Sequence, residues 1–118
     1  MNEYQENLKM KMDEYAHFIY KFTNNFPKEE LYGITSQIRR SGLSTILNYI
    51  EGYARQKSLV RLNFLEIAYG SLKESKYLLY FSQREGYLNI NDYHKMLQLA
   101  EEIGAMIWKE ISNLRQKT

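Results

Sequence analysis

The sequence predicts an all-α fold, an antiparallel up-down-up-down four-helix bundle. Apolar residues recur at steps of three and four along most of the 118 residues, which is the period of amphipathic helices. Pro27 is the only proline and the six glycines do not cluster, so long helices with short breaks are expected. Short links allow only antiparallel neighbours. We expect one domain spanning residues 1–118.

An apolar stripe predicts the first helix over about residues 4–24. Its members are Leu8, Met12, Tyr15, Ile19, Phe22 and Phe26. The segment 24–27 ends this helix, and Pro27 followed by three charged residues is typical of a helix's first turn. The second helix is therefore predicted from Pro27 to about Ala54.

Two further helices follow short links. Ser58 is the predicted N-cap of the third helix, which runs to Gly86, and Asn89 with Asp92 resembles a capping box for the fourth. The third stripe comprises Leu62, Leu65, Tyr69, Leu72 and Leu79. The fourth comprises Tyr93, Met96, Ala100, Ile103, Ile107, Ile111 and Leu114.

The second helix carries two apolar faces when residues are placed about 100° apart. The predicted core stripe comprises Leu31, Ile34, Ile38, Thr45, Tyr49 and Gly52. The opposite side carries Tyr32, Leu43, Leu47, Ile50 and Ala54. A contiguous exposed apolar surface usually marks a partner contact. We therefore predict a homo-oligomer interface that includes Tyr32, Leu43, Leu47 and Ile50, the alternative being scattered apolar residues on a monomer.

Three segments carry a family resemblance. Residues 26–40, FPKEELYGITSQIRR, followed by residues 44–52, STILNYIEG, resemble the signature of the 23S rRNA-intervening sequence protein family. Residues 64–74, FLEIAYGSLKE, resemble its second conserved block. The chain departs from the family pattern at Ser41-Gly42, where two alanines are usual, and Gly42 indicates close helix packing because glycine costs helix propensity.

The resemblance implies a bacterial protein that assembles as a homopentameric barrel of four-helix bundles. Some similar proteins are encoded within insertions in ribosomal RNA genes. A related branch, the accessory proteins of diversity-generating retroelements, binds nucleic acid and a reverse transcriptase through a basic surface. The expected partners are accordingly other copies of the chain, RNA or DNA, and another protein.

Basic residues concentrate around the end of the second helix despite a net charge of only +2. Arg39, Arg40, Arg55, Lys57 and Arg61 share a window with one acid, Glu51. Guanidinium groups suit phosphate because their planar fork donates two hydrogen bonds. We predict contacts with the nucleic-acid backbone without base specificity. A solvated helix surface and an interface salt bridge are the alternatives for the arginine pair.

Asn48 and Glu51 share one side of the second helix. Because both fall in the family signature, we interpret them as a structural polar network, with Glu51 pairing to a distant basic residue, rather than as catalytic groups. The alternative is an ordinary solvated face.

No motif predicts catalysis, a cofactor or a metal site. Glu14 and His17 have the Glu-x-x-His spacing of one half of a di-metal carboxylate site. The second half is missing, because the residue three positions before His94 is Asn91 and not a glutamate. The sequence has no Gly-x-Ser-x-Gly elbow and no glycine-rich phosphate loop. We therefore expect a non-enzymatic scaffold. The competing hypothesis is a protein-binding adaptor ring presenting a surface rich in the chain's eleven tyrosines.

The composition predicts a cytoplasmic protein without a membrane partner. Cysteine is absent, which excludes disulfides and thiolate chemistry and fits a reducing compartment. The segment 1–11 is polar and lacks the apolar core of a signal peptide. No run approaches the roughly 20 apolar residues of a membrane span.

Overall fold

Four helices and no strand make up the computed structural model, which describes residues 1–118. They are α1 (Glu3–Thr23), α2 (Ser36–Tyr53), α3 (Ser58–Arg84) and α4 (Ile90–Lys117). None of the four could cross a membrane, since none combines the required length with an apolar composition. The predicted all-α, four-helix fold class is confirmed.

Each helix runs antiparallel to its neighbours, because the residue numbers of contacting pairs rise along one helix while they fall along the next. Between α1 and α4, the Tyr4 hydroxyl donates to the Met106 carbonyl and Lys11 pairs with Glu102. The same reversal holds for the other three neighbouring pairs of helices. Contacts between α1 and α2 are Thr23–Arg39 and Ile19–Gly42, and contacts between α2 and α3 are Ser44–Ser71 and Gly52–Arg61. Contacts between α3 and α4 are Glu66–Arg115 and Lys76–Glu101. The chain therefore runs up, down, up and down.

The core consists of 21 buried apolar side chains drawn from all four helices and their links. At Gly42, α2 packs against α1: a Cβ placed there would stand 2.6 Å from Cδ1 of Ile19, so the Ile19 side chain would have to shift. This contact supports the close packing predicted at Gly42.

The second helix begins later than predicted. A short 3₁₀ turn, Lys28–Glu30, leads into one widened turn, Leu31–Thr35, where Gly33 departs from helical geometry at φ −107°, ψ −116°. Extrapolating 100° per residue through this break misplaces the residues before it. The prediction that Leu31 belongs to the core was wrong for this reason, since its side chain is 48% exposed.

The observed ends of α3 and α4 lie within one or two residues of the positions predicted from their capping residues. Lys57 occupies the N-cap position of α3 without a side-chain hydrogen bond, so Ser58 is the first helical residue and the N-cap prediction was wrong. Asn89 caps α4, and its Oδ1 accepts from the Asp92 amide at 2.8 Å. Gly86 ends the α3 turn with φ +80°, a conformation that favours glycine.

Candidate nucleic-acid interface

The five predicted basic residues fall into two groups rather than one. Arg39 and Arg40 lie near the start of α2, whereas Arg55, Lys57 and Arg61 surround the link between α2 and α3. At 1.5 Å per helical residue, roughly 24 Å of helix separates Arg39 from Arg55. We call the second set, Arg55, Lys57 and Arg61, the link group.

Arg39 is engaged in holding α1 against α2. Its Nε donates to Thr23 Oγ1 at 2.8 Å, and its Nη2 donates to Asn24 Oδ1 at 3.1 Å. The guanidinium also lies 4.7 Å from the centroid of the Tyr20 ring. Arg40, by contrast, is exposed and forms no ion pair within the chain. Of the arginine pair, Arg40 has the more available charge.

Arg61 organises the link group by capping the end of α2. Its Nη2 donates to the Arg55 carbonyl at 2.7 Å and its Nε to the Gly52 carbonyl at 3.2 Å, which ties the start of α3 to the end of α2 and the link that follows it. Its guanidinium lies 4.6 Å from the Tyr53 ring centroid. Lys57 is exposed and makes no ion pair. The link group therefore combines an arginine held by backbone carbonyls with two exposed cations, of which Arg55 pairs with Glu51 at 3.4 Å.

A cleft of about 360 Å³ opens beside the link group at the same end of the bundle. Two lysines of α4, Lys109 and Lys117, line this cleft together with Arg61. The other lining residues are Asn2, Tyr4, Gln5, Tyr53, Glu110, Asn113 and Leu114. Sequence reasoning missed both lysines, although an antiparallel bundle must place the end of its fourth helix beside the link between the second and third.

The principal buried polar network is centred on Glu110, which is only 8% exposed. The Tyr49 hydroxyl donates to one carboxylate oxygen of Glu110, and the Tyr53 hydroxyl donates to the other. The side-chain amide of Gln5 donates to the second oxygen at 3.3 Å. One buried carboxylate thus joins α1, α2 and α4 below the cleft.

Burial raises the pKa of the Tyr49 hydroxyl far above its usual value, and the neighbouring Glu110 carboxylate raises it further. Burial and Glu110 raise the pKa of Tyr53 in the same way. Tyr15 also has a raised pKa because it is buried, although its 2.7 Å hydrogen bond with Ser75 acts in the opposite direction. All three tyrosines are therefore held neutral in the folded state.

Stability is expected to fall as pH rises above 10, where these tyrosines ionise only when the chain unfolds. Each contributes a loss of about 1.4 kcal/mol per pH unit until the folded group also ionises. Urea unfolding between pH 8 and 11 measures this slope. Tyr49→Phe should make it shallower, whereas Tyr77→Phe, at a side chain 62% exposed, should not. Constant stability from pH 9 to 11 would contradict the assignment.

Asn48 and Glu51 have different surroundings in the chain. Asn48 Nδ2 donates to the carbonyl and hydroxyl oxygens of Ser44, at 2.8 and 2.9 Å, and Ser44 in turn bonds Ser71 of α3. Asn48 thus contributes to polar contacts between two helices. Glu51 is exposed and pairs with Arg55, one turn away on the same helix, at 3.4 Å. Within the chain Glu51 has no distant basic partner, so the predicted long-range pairing is not formed there, and the structural role of Glu51 stays a prediction.

The predicted interface residues lie outside the core. Tyr32 is 93% exposed, Leu47 is 56% exposed and Ile50 is 43% exposed, while Leu43 is half-buried. Ile67 of α3 is 44% exposed and lies one turn before Ser71, which bonds Ser44 of α2. We call Leu43, Leu47 and Ile50 the outer apolar face.

Possible metal ligands are dispersed. The chain contains no group of three or more histidine, aspartate or glutamate side chains positioned to hold a metal ion. His17 is exposed and lies 3.3 Å from Asp13 on the same helix. Glu14 and His17 therefore do not belong to a group of three such side chains.

Similarity to known proteins covers nearly the whole chain. The structure resembles the 1.70 Å crystal structure of a protein of unknown function from the S23 ribosomal protein family of Bacteroides thetaiotaomicron VPI-5482, with a TM-score of 0.80 and 29% identity over 88% of this chain and 97% of that one. No curated protein sequence matches. The model of the 23S rRNA-intervening sequence proteins matches residues 6–109. The chain therefore belongs to the 23S rRNA-intervening sequence protein family.

Proposed function

We propose that the protein is a non-enzymatic homo-oligomeric scaffold that holds RNA or DNA by its backbone. The outer apolar face is the observation that carries the proposal. Leu47 and Ile50 expose about half of their side chains on the side of α2 that faces away from the core, and grouped apolar residues of this kind favour a partner contact. A second copy of the chain is the partner that the family resemblance implies.

The family resemblance also supports a ring of five copies and a relation to the accessory proteins of diversity-generating retroelements. A ring would repeat the link group, Lys109 and Lys117 once in every subunit. One subunit offers few charges, but a ring would present many of them to one strand. Because each phosphate contact releases counterions, affinity should fall steeply as salt rises.

Changing Arg55 and Lys57 together to glutamate should weaken binding similarly for unrelated sequences, because backbone contacts position a strand without distinguishing its bases. Arg61 is unsuitable for this test because it caps α2. Arg39 is unsuitable because it joins two helices. Mobility shifts with single-stranded and duplex RNA and DNA, at low and physiological salt, measure the effect after assembly has been verified.

The matched control changes Lys28 and Arg84 to glutamate. Both side chains are exposed, and they lie at the opposite end of the bundle. The control alters net charge equally and should retain more binding than the link-group variant. Absence of any shift at low salt would reject the nucleic-acid proposal.

A protein-binding adaptor ring is the second candidate, favoured by exposed aromatic residues at that opposite end. Tyr77, Tyr80 and Phe81 of α3 are 62%, 42% and 39% exposed. The Tyr80 ring lies 6.4 Å from Tyr93 of α4, which extends the aromatic surface across two helices. Aromatic residues are enriched where proteins bind proteins. This function becomes the better account if no nucleic acid binds the assembled protein.

A further inference from the structure

We propose that the cleft at the α2–α3 end of the bundle binds a terminal phosphate monoester, carried either by a nucleotide or by the phosphorylated end of an RNA or DNA strand. This inference rests on the proposed function in one respect: a nucleic-acid strand can supply the phosphate only if the protein binds nucleic acid. The inference goes further, because it predicts recognition of the phosphorylated terminus of a strand, whereas the scaffold requires only contacts with internal phosphates.

The size and construction of the cleft suit a nucleotide. Its volume is about 360 Å³, within the roughly 300–1,000 Å³ typical of small-ligand sites. All four helices contribute to its walls, from Gln5 of α1, Tyr53 of α2 and Arg61 of α3 to Asn113 of α4. The hydrogen bonds of Gln5 and Tyr53 to Glu110 fix two of these side chains. These two lining side chains are therefore preorganised.

The charge of the cleft fits a dianion. Arg61, Lys109 and Lys117 line it, and none of the three forms an ion pair within the chain. Glu110 is the one acidic residue in the lining, and both of its oxygens already accept hydrogen bonds. Cations thus exceed anions by two. A phosphate monoester carries about −1.5 to −2 at pH 7, which matches this excess better than an internal phosphodiester with one charge.

The two lysines have the freedom that a phosphate ligand needs. Lys109 Nζ lies 5.6 Å from the Tyr4 ring centroid, a weak contact that a phosphate could replace. Lys117 is exposed in the last turn of α4. Arg61 is held by two carbonyl groups and contributes fixed positive charge. Amides of Asn2 and Asn113 lie within the same lining to hydrogen-bond a sugar or base.

The test compares one short RNA with a 5′-phosphate and the same RNA with a 5′-hydroxyl, by fluorescence anisotropy on the full chain. The phosphorylated strand should bind about tenfold more tightly, the effect of one additional charge-assisted contact. Adenosine monophosphate should compete with it, and adenosine should not. The preference should shrink toward pH 5, because the second ionisation of the monoester lies near pH 6.

Paired variants locate the site. Lys109→Gln with Lys117→Gln should abolish the preference for the phosphorylated strand, and Lys109→Arg with Lys117→Arg should retain it. The matched control removes two lysines that lie outside the cleft, Lys73→Gln with Lys95→Gln, because these also lie over aromatic rings, those of Tyr69 and Phe18. Circular dichroism verifies that every variant is folded. An unchanged preference in the double glutamine variant would overturn the assignment.

The two proposals fail in different ways. Equal binding of both RNA ends would overturn terminal recognition while leaving the backbone scaffold intact. Binding of adenosine monophosphate without binding of any strand would support the cleft as a nucleotide site and reject the nucleic-acid scaffold. Binding of neither would overturn both.

Discussion

Replacing Leu47 by glutamate is expected to dissociate the proposed oligomer into single 14.2 kDa chains while leaving helical content unchanged. Leu47 is 56% exposed in the isolated chain, so a folded monomer can hydrate the new carboxylate. In a contact between two copies the same charge would be taken out of water, which costs far more than most interfaces can offset. Sedimentation velocity at micromolar concentration measures the assembly, and circular dichroism measures the helices.

Met10→Glu is the matched control for this experiment. Met10 is 66% exposed on α1 and is not part of the outer apolar face. Its replacement should leave sedimentation unchanged. If Leu47→Glu sediments as the unmodified protein does, the outer apolar face is not the interface. If it loses helical content, the substitution acts on folding.

Replacing Glu110 by alanine is expected to lower the free energy of unfolding by about 3 kcal/mol, because it leaves buried tyrosine hydroxyls without an acceptor. Tyr49 is fully buried beside Glu110, and Tyr53 is half-buried next to it. Urea unfolding at fixed protein concentration measures the change. Fixed concentration is necessary because assembly contributes to apparent stability.

Glu102→Ala provides the comparison within the same helix. Glu102 is exposed and pairs with Lys11 at 3.5 Å, an interaction that should contribute at most about 1 kcal/mol. The two substitutions remove the same side chain from α4 and differ mainly in burial. Equal effects of the two would contradict the central role of Glu110.

Periodicity predicted α1, α3 and α4 well because their apolar stripes are uninterrupted and regular helices preserve a constant angle between residues. The start of α2 could not be placed in this way. Gly33 departs from helical geometry, so Leu31 lies outside the core although its position in a regular helix would be internal. A single irregular turn is enough to invalidate extrapolation on its far side.

The candidate site was only partly predictable for a different reason. Arg55, Lys57 and Arg61 are close in sequence, so their grouping was visible, whereas Lys109 and Lys117 join them only through the antiparallel topology. One signal for the polar network was present. Glu110 lies three residues after Ile107 and directly before Ile111, so a charged side chain lies on the apolar side of α4, which predicts a buried carboxylate with partners.

Measuring the native mass of the unmodified protein by sedimentation equilibrium at micromolar concentration tests the scaffold proposal most directly. The proposal predicts a single species containing five copies of the 14.2 kDa chain. A clean dimer would contradict the count of five while retaining the outer apolar face as an interface. A stable species of 14.2 kDa would contradict the oligomeric scaffold itself.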